Sequence, residues 1–165
     1  ALLQDASIAQ SGAWLHLPGH RVQLTGTEEA LAQQLLLALQ AGHFDPPWVR
    51  DVARDTQAGE EPARPLLKKL ARQGLVFQVV KDLFYAAPAM DALAALLRTL
   101  AEAAATDGGA VEAHAFRDAT GLGRKRAIQI LEFFNRIGYT RRVRDAHLLR
   151  PDAHWQAANA VQEAP

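Results

Sequence analysis

A block of about sixty residues occurs twice in this chain, and that repetition restricts the fold more than any single motif. Counting back from Gly74 and from Gly138, Leu66 falls opposite Ile130, Leu67 opposite Leu131 and Leu70 opposite Phe134. Further upstream, Val49-Arg50-Asp51 answers Phe116-Arg117-Asp118. Each copy reads as helix, short helix, longer helix, strand, turn, strand. In the first copy Thr27 is an N-cap, Glu28 and Glu29 are first-turn acids, and Ala30, Leu31, Leu35, Leu36, Leu37 and Leu39 form a helical stripe ending near Gly42. Pro47 opens a short helix containing Trp48, Val49, Val52 and Ala53, and Glu60-Glu61-Pro62 opens a longer one that Gln73-Gly74 stops. Residues 75–80 and 83–86, separated by Lys81-Asp82, read as a hairpin.

The second copy predicts a Leu/Ala-rich helix over 91–105, a break at Asp107-Gly108-Gly109, a short helix over 111–119 and a longer one over 123–137. Gly138 ends the last helix, and residues 139–143 and 147–150 form the second hairpin. Three helices followed by a two-stranded hairpin make a winged helix, a helix-turn-helix with an appended β-wing. The expected fold class is therefore mainly α with small β-hairpins (α+β), built as tandem winged-helix domains. The units are placed at 27–87 and 88–152, with a joint near Ala87-Pro88 and a tail over 153–165. Residues 1–26 alternate apolar and polar positions around Pro18-Gly19, which reads as the wing of a preceding unit whose first half lies upstream. Units this small sit near the lower limit for an independent core, so packing between them is expected.

Composition removes several chemistries. The 165 residues contain no cysteine, which excludes disulfides, thiolate zinc sites and cysteine nucleophiles. Serine occurs only at Ser7 and Ser11, leaving little room for a Ser-His-Asp arrangement. His16 and His20 have ligand-like spacing, but His43, His114, His147 and His154 are scattered and a metal site is not expected. Gly121-Leu122-Gly123 begins like a dinucleotide loop, yet Arg126 stands where the third glycine belongs, and no G-x-x-x-x-G-K-[ST] occurs. The expectation is a binding module that is not an enzyme, without a cofactor. No apolar run is long enough for a membrane span and no basic leader precedes an apolar block, so a cytoplasmic monomer without membrane contact is expected.

Charge then points to a partner. Lys+Arg and Asp+Glu number 18 each, but between His114 and Arg150 there are nine Lys and Arg against three acids, 9 − 3 = +6, so the rest carries (18 − 9) − (18 − 3) = −6. A basic terminal unit on an acidic body suggests a polyanion ligand. The third helix of a helix-turn-helix unit usually leads into nucleic acid with its N-terminal residues. The first copy obeys helix-dipole preference there with Glu60-Glu61-Pro62. The second violates it with Gly123-Arg124-Lys125-Arg126, where each cation costs about 0.3–1 kcal/mol in isolation. Arg124, Lys125 and Arg126 are therefore read as RNA-binding residues, joined by Arg141, Arg142, Arg144, His147 and Arg150 on the wing, as a two-sided phosphate clamp. Solvated first-turn cations, an Arg126 carboxylate pair, or a polar strand role for His147 are the competing readings. Phe134 is assigned to the core, while Phe133 and Tyr139 remain open between core and base stacking.

The run Phe116-Arg117-Asp118, then Gly123 through Phe134 (GRKRAIQILEFF), then Arg136-Ile137-Gly138-Tyr139-Thr140-Arg141-Arg142 resembles the C-terminal end of the SelB family of bacterial selenocysteine-specific translation elongation factors. Trp48-Val49-Arg50-Asp51-Val52-Ala53, Val80-Lys81-Asp82 and His147-Leu148-Leu149-Arg150 are similar to the preceding unit and final wing of the same family. The resemblance covers most of residues 27–150. It implies the end of a four-unit winged-helix extension, beginning within its second unit, whose last unit binds the selenocysteine insertion hairpin of mRNA downstream of a UGA codon. It further implies GTP-binding and tRNA-binding domains upstream, through which the ribosome and selenocysteyl-tRNA are met. By matching residues it carries RNA contact to Arg124 and Lys125; the wing arginines rest on charge and position alone. A DNA-binding winged-helix regulator and a protein-interaction scaffold are the alternatives.

Overall fold

The computed structural model describes Leu24, residues 26–151 and Trp155. The hairpin expected before residue 24 and most of the tail lie outside the described residues. Helix α1 (Gly26–Gly42) buries Ala32, Leu35, Leu36 and Leu39 against α2 (Val49–Asp55) and α3 (Glu60–Arg72). Leu37 corrects the expected stripe: it is 65% exposed, because the helical period turns it away from the face that holds Leu35, Leu36 and Leu39. Lys69 of α3 closes on Glu28 at 2.8 Å and ties the two helices. From α3, Ala63, Leu66, Leu67 and Leu70 point inward. The helix stops in a left-handed turn at Gly74 (φ 79°), with Leu75 N–H donating to Leu70 O at 3.1 Å.

Strands β1 (Val76–Val80) and β2 (Leu83–Ala86) pair antiparallel, Phe77 opposite Tyr85, around a Lys81-Asp82 turn in which Asp82 takes φ 62°. Arg64 holds that turn, its Nε 2.8 Å from Asp82 Oδ1 and its Nη2 3.0 Å from Glu60. The Arg64 guanidinium keeps the Asp82 carboxyl below the usual carboxylate range. Every residue of β2 is buried, so neither face of this strand meets water.

The alternation of the strands explains this. Val76, Phe84 and Ala86 fill the first core, while Phe77, Val79, Leu83 and Tyr85 point the other way into the second. No linker follows: β2 ends at Ala86 and α4 (Ala87–Ala103) begins at the next residue, with Pro88 in its first turn. The helix thus starts earlier than the expected residue 91.

After a 3₁₀ turn (Ala105–Asp107) and left-handed Gly108 and Gly109, the expected helix over 111–119 is replaced at its start by a strand, β3 (Val111–Glu112). Val111 and Glu112 pair with His147 and Ala146, because the buried Val111 side chain completes the sheet. Helix α5 (Ala113–Thr120) then ends at Gly121 (φ 74°), and α6 (Arg124–Arg136) runs to a second left-handed stop, Gly138 (φ 84°). There Tyr139 N–H donates to Phe134 O at 3.0 Å, repeating the Leu75 to Leu70 bond. Strands β4 (Thr140–Val143) and β5 (Ala146–Leu149) join β3 in a sheet ordered β3-β5-β4. The six residues equated between the copies, Leu66, Leu67, Leu70, Ile130, Leu131 and Phe134, are all buried. Phe133 and Tyr139 also belong to the core, at 1% and 4% exposure, which removes them as stacking platforms. Trp155 packs on Phe77, Phe134 and Tyr139 and donates its Nε1–H to Asp91 at 2.6 Å, across the seam between the copies.

Candidate nucleic-acid interface

The start of α6 carries the expected cations on an open helix end. Gly123 occupies the cap position in an extended conformation without a side-chain hydrogen bond, and the first turn contains no acid. The first backbone N–H groups and the positive end of the helix dipole are thus left to an external anion. Arg124 and Lys125 are exposed, and no carboxylate pairs with either among the described residues. Ile128, one turn on from Arg124, gives the two cations an apolar floor.

Arg126 is placed differently from its two neighbours. Its side chain is only 13% exposed and its Nη1 lies 2.8 Å from Asp45 Oδ1. The same nitrogen sits 3.4 Å from Pro46 O and from the Tyr85 hydroxyl, and the guanidinium lies over the Trp48 ring at 5.4 Å. Tyr85 in turn donates to Phe44 O at 2.7 Å, and burial pushes its phenol up to about 12. Two residues beyond Arg124, the helix has rotated far enough to aim Arg126 at the first copy. This arginine bolts the copies together.

On the wing, Arg141, Arg142 and Arg144 are exposed. Arg144 adopts φ 58° in the turn, and Arg142 Nε donates to its carbonyl at 2.9 Å, which stiffens the tip. Val143 between them is 37% exposed. Arg150 is exposed past the end of β5, its N–H bonded to Tyr139 O. His147 is nearly buried: it lies opposite Arg142 and Val111 and is 6% exposed. Its Nδ1 accepts from Asn135 Nδ2 at 3.1 Å, while Asn135 Oδ1 accepts from Thr140 Oγ1 at 2.6 Å. Burial, and then the neighbouring Arg142, lower its basicity. His147 therefore fastens α6 to the sheet.

Two further residues flank the tip. His114 and Arg117 of α5 line, with Arg124 and Ile128, a depression of 260 Å³. Arg117 is partly occupied by Asp118 at 3.1 Å, and His114 lies 3.3 Å from Glu112. Arg117 belongs to the Phe116-Arg117-Asp118 motif, and its one-turn offset from Ala113 on an amphipathic helix is the sequence signal for its place beside the tip. Arg136, counted among the cations, is drawn to the first copy, donating to Val79 O at 3.0 Å. No cluster of three or more metal-ligating side chains exists among the described residues, and His16 and His20 lie outside them. No described helix is long and apolar enough to cross a membrane.

Two helix-turn-helix units, each with a wing, and a cationic helix start on the second define a tandem winged-helix protein. Residues 28–85 match the family profile described as selenocysteine-specific elongation factor, winged helix domain, and residues 102–149 match that of elongation factor SelB, winged helix. The chain belongs to the SelB family, in its winged-helix region. It is 38% identical over 147 residues to the selenocysteine-specific elongation factor of Escherichia coli and 31% identical over 149 residues to that of Haemophilus influenzae. It spans 89–90% of its own length in these matches but only 23% of either relative. Among solved structures it is similar to the mRNA-binding domain of elongation factor SelB from E. coli in complex with SECIS RNA, with TM-score 0.68 and 38% identity. That match covers 77% of this chain and 99% of the other.

Proposed function

We propose that this chain is an mRNA-hairpin-binding module of a selenocysteine-specific elongation factor, in which residues 88–152 grip the selenocysteine insertion element and residues 27–87 are the scaffold. The observation that carries the reading is the start of α6, where Arg124 and Lys125 stand exposed and without a carboxylate partner at an uncapped, acid-free helix end. An A-form stem hides its base edges in a deep, narrow groove, so selection of one hairpin calls for a grip on its phosphates and readout of unstacked loop or bulged bases. Arginine serves both, by forked bonding to phosphate and by stacking. Arg141, Arg142, Arg144 and Arg150 supply the second jaw, and the depression beside Arg117 and Arg124 is sized for a splayed-out group.

No chemistry is assigned to these residues and no cofactor is called for. The ribosome and selenocysteyl-tRNA are met through the parts of the factor outside this chain, which in relatives make up most of the length, and GTP binding belongs there too. The module works as a monomer in the cytoplasm. The experiment is a titration with a UGA-flanking hairpin, a scrambled hairpin and duplex DNA at one salt concentration. Arg124→Ala and Lys125→Ala should each weaken hairpin binding by at least about 1 kcal/mol and lower the salt slope by about one. Equal affinity for duplex DNA, or unchanged affinity in both variants, refutes the assignment.

A further inference from the structure

The C-terminal end of α6 borders a groove of 740 Å³ that the RNA-binding reading leaves unused. It runs along the whole of β1 and is walled by the last turn of α3. Lys68, Arg72, Lys81 and Arg136 surround it, all exposed, and no acidic residue lines it. None of the four is ion-paired with a carboxylate among the described residues. The Asp82 carboxylate, itself bonded to Arg64, bears on Lys68 and Lys81 through space without a direct ion pair, so in a first copy that is otherwise acidic the positive charge gathered here exceeds its local neutralisation. Among the described residues β1 pairs with β2 and with no other strand, and at the groove Arg136 donates to Gln78 O and Val79 O, at 3.4 and 3.0 Å.

The shape decides which polyanion fits. Phe77 and Phe133 form the floor but are 3% and 1% exposed, so no ring face is offered for stacking a base. A concave, partly apolar trough beside a strand that pairs on one side alone among the described residues suits an extended peptide, which can bond main chain to main chain and seat alternate side chains. We propose that this groove docks an extended acidic segment of a partner protein, its carboxylates meeting Lys68, Arg72, Lys81 and Arg136 while its apolar side chains lie along β1. The site is independent of hairpin binding. Helix α6 has 13 residues, which at 1.5 Å per residue sets its two ends about 18 Å apart, so RNA and peptide can be held together.

The test is fluorescence anisotropy of the chain with a labelled decapeptide of alternating Glu and Val, against one of alternating Lys and Val. Saturable binding of the acidic peptide alone is expected, weakened at least tenfold in K68E/R72E/K81E and unchanged by Arg124→Ala or by saturating hairpin RNA. In a parallel backbone NMR titration of the unmodified chain, the peptide should shift the amides of Gln78 and Val80, an outcome that does not depend on the variant folding. The proposal is overturned if the acidic peptide does not saturate or leaves those amides unmoved. It is equally overturned if the triple charge reversal lowers hairpin affinity without touching peptide binding, since the groove would then serve nucleic acid.

Discussion

Arg124, Lys125 and Arg126 are neighbours in sequence with unlike fates, and the difference is set by rotation about the helix axis and by residues far upstream. Two stand in water; the third is enclosed by Asp45, Trp48 and Tyr85. The charge run made the tip legible in the sequence, but Asp45 belongs to the other copy and no spacing rule ties it to Arg126. Because Asp45 itself is 70% exposed, loss of Arg126 strands no buried charge. Arg126→Ala should cost about 1–2 kcal/mol in a denaturant melt and weaken hairpin binding less than Lys125→Ala does. His147 gives a pH signature. Its native value lies below the ordinary 6.5, so above that pH both native and unfolded forms are neutral. On acidification the unfolded imidazole takes its proton first, and stability declines until the pH passes the lowered native value, where the loss levels off. The melting temperature should fall as the pH is lowered through the ordinary histidine value, and His147→Gln should flatten that decline.

At the scale of elements, the two left-handed helix stops do the same job in both copies. Gly74 and Gly138 let the chain reverse from helix into strand while the bonds Leu75 to Leu70 and Tyr139 to Phe134 satisfy the last carbonyls. Gly138→Ala should destabilise by about 1–2 kcal/mol through its positive φ, read as a shift of the denaturation midpoint without a change in slope. These glycines, the apolar periodicity of α3 and α6 and the turn residues between strands made most elements readable from the sequence. The exception is β3. Two residues are too few to show alternation, and Val111 sits directly before an amphipathic helix that absorbs it by pattern. Only its pairing with His147 and Ala146, a tertiary contact, distinguishes it. Leu37 departs from the expected stripe for a related reason: Leu35, Leu36 and Leu37 are consecutive, and at about 100° per residue three in a row span more of the helix than its buried face.

Across the whole molecule, the first wing belongs to two cores at once. Sequence alternation showed that residues 76–86 could form a hairpin, but not that both faces are covered, since a strand buried on two sides and one buried on a single side differ only in what packs against them. Neither unit can open without uncovering the other's interior. Unfolding followed by far-ultraviolet circular dichroism and by tryptophan fluorescence should therefore coincide in one transition. Phe77→Ala and Phe84→Ala, though they face opposite cores, should each lower that transition by about 3–5 kcal/mol. Two separated transitions would contradict the shared hairpin.

The direct passage from Ala86 to Ala87 leaves this molecule without a swivel at its waist. Torque applied at the arginine-bearing wing is delivered through Tyr85, Arg126 and the strands to the helix that begins at Gly26, rather than dissipated in slack chain. A turn imposed on the second wing is therefore a turn of the first unit as well.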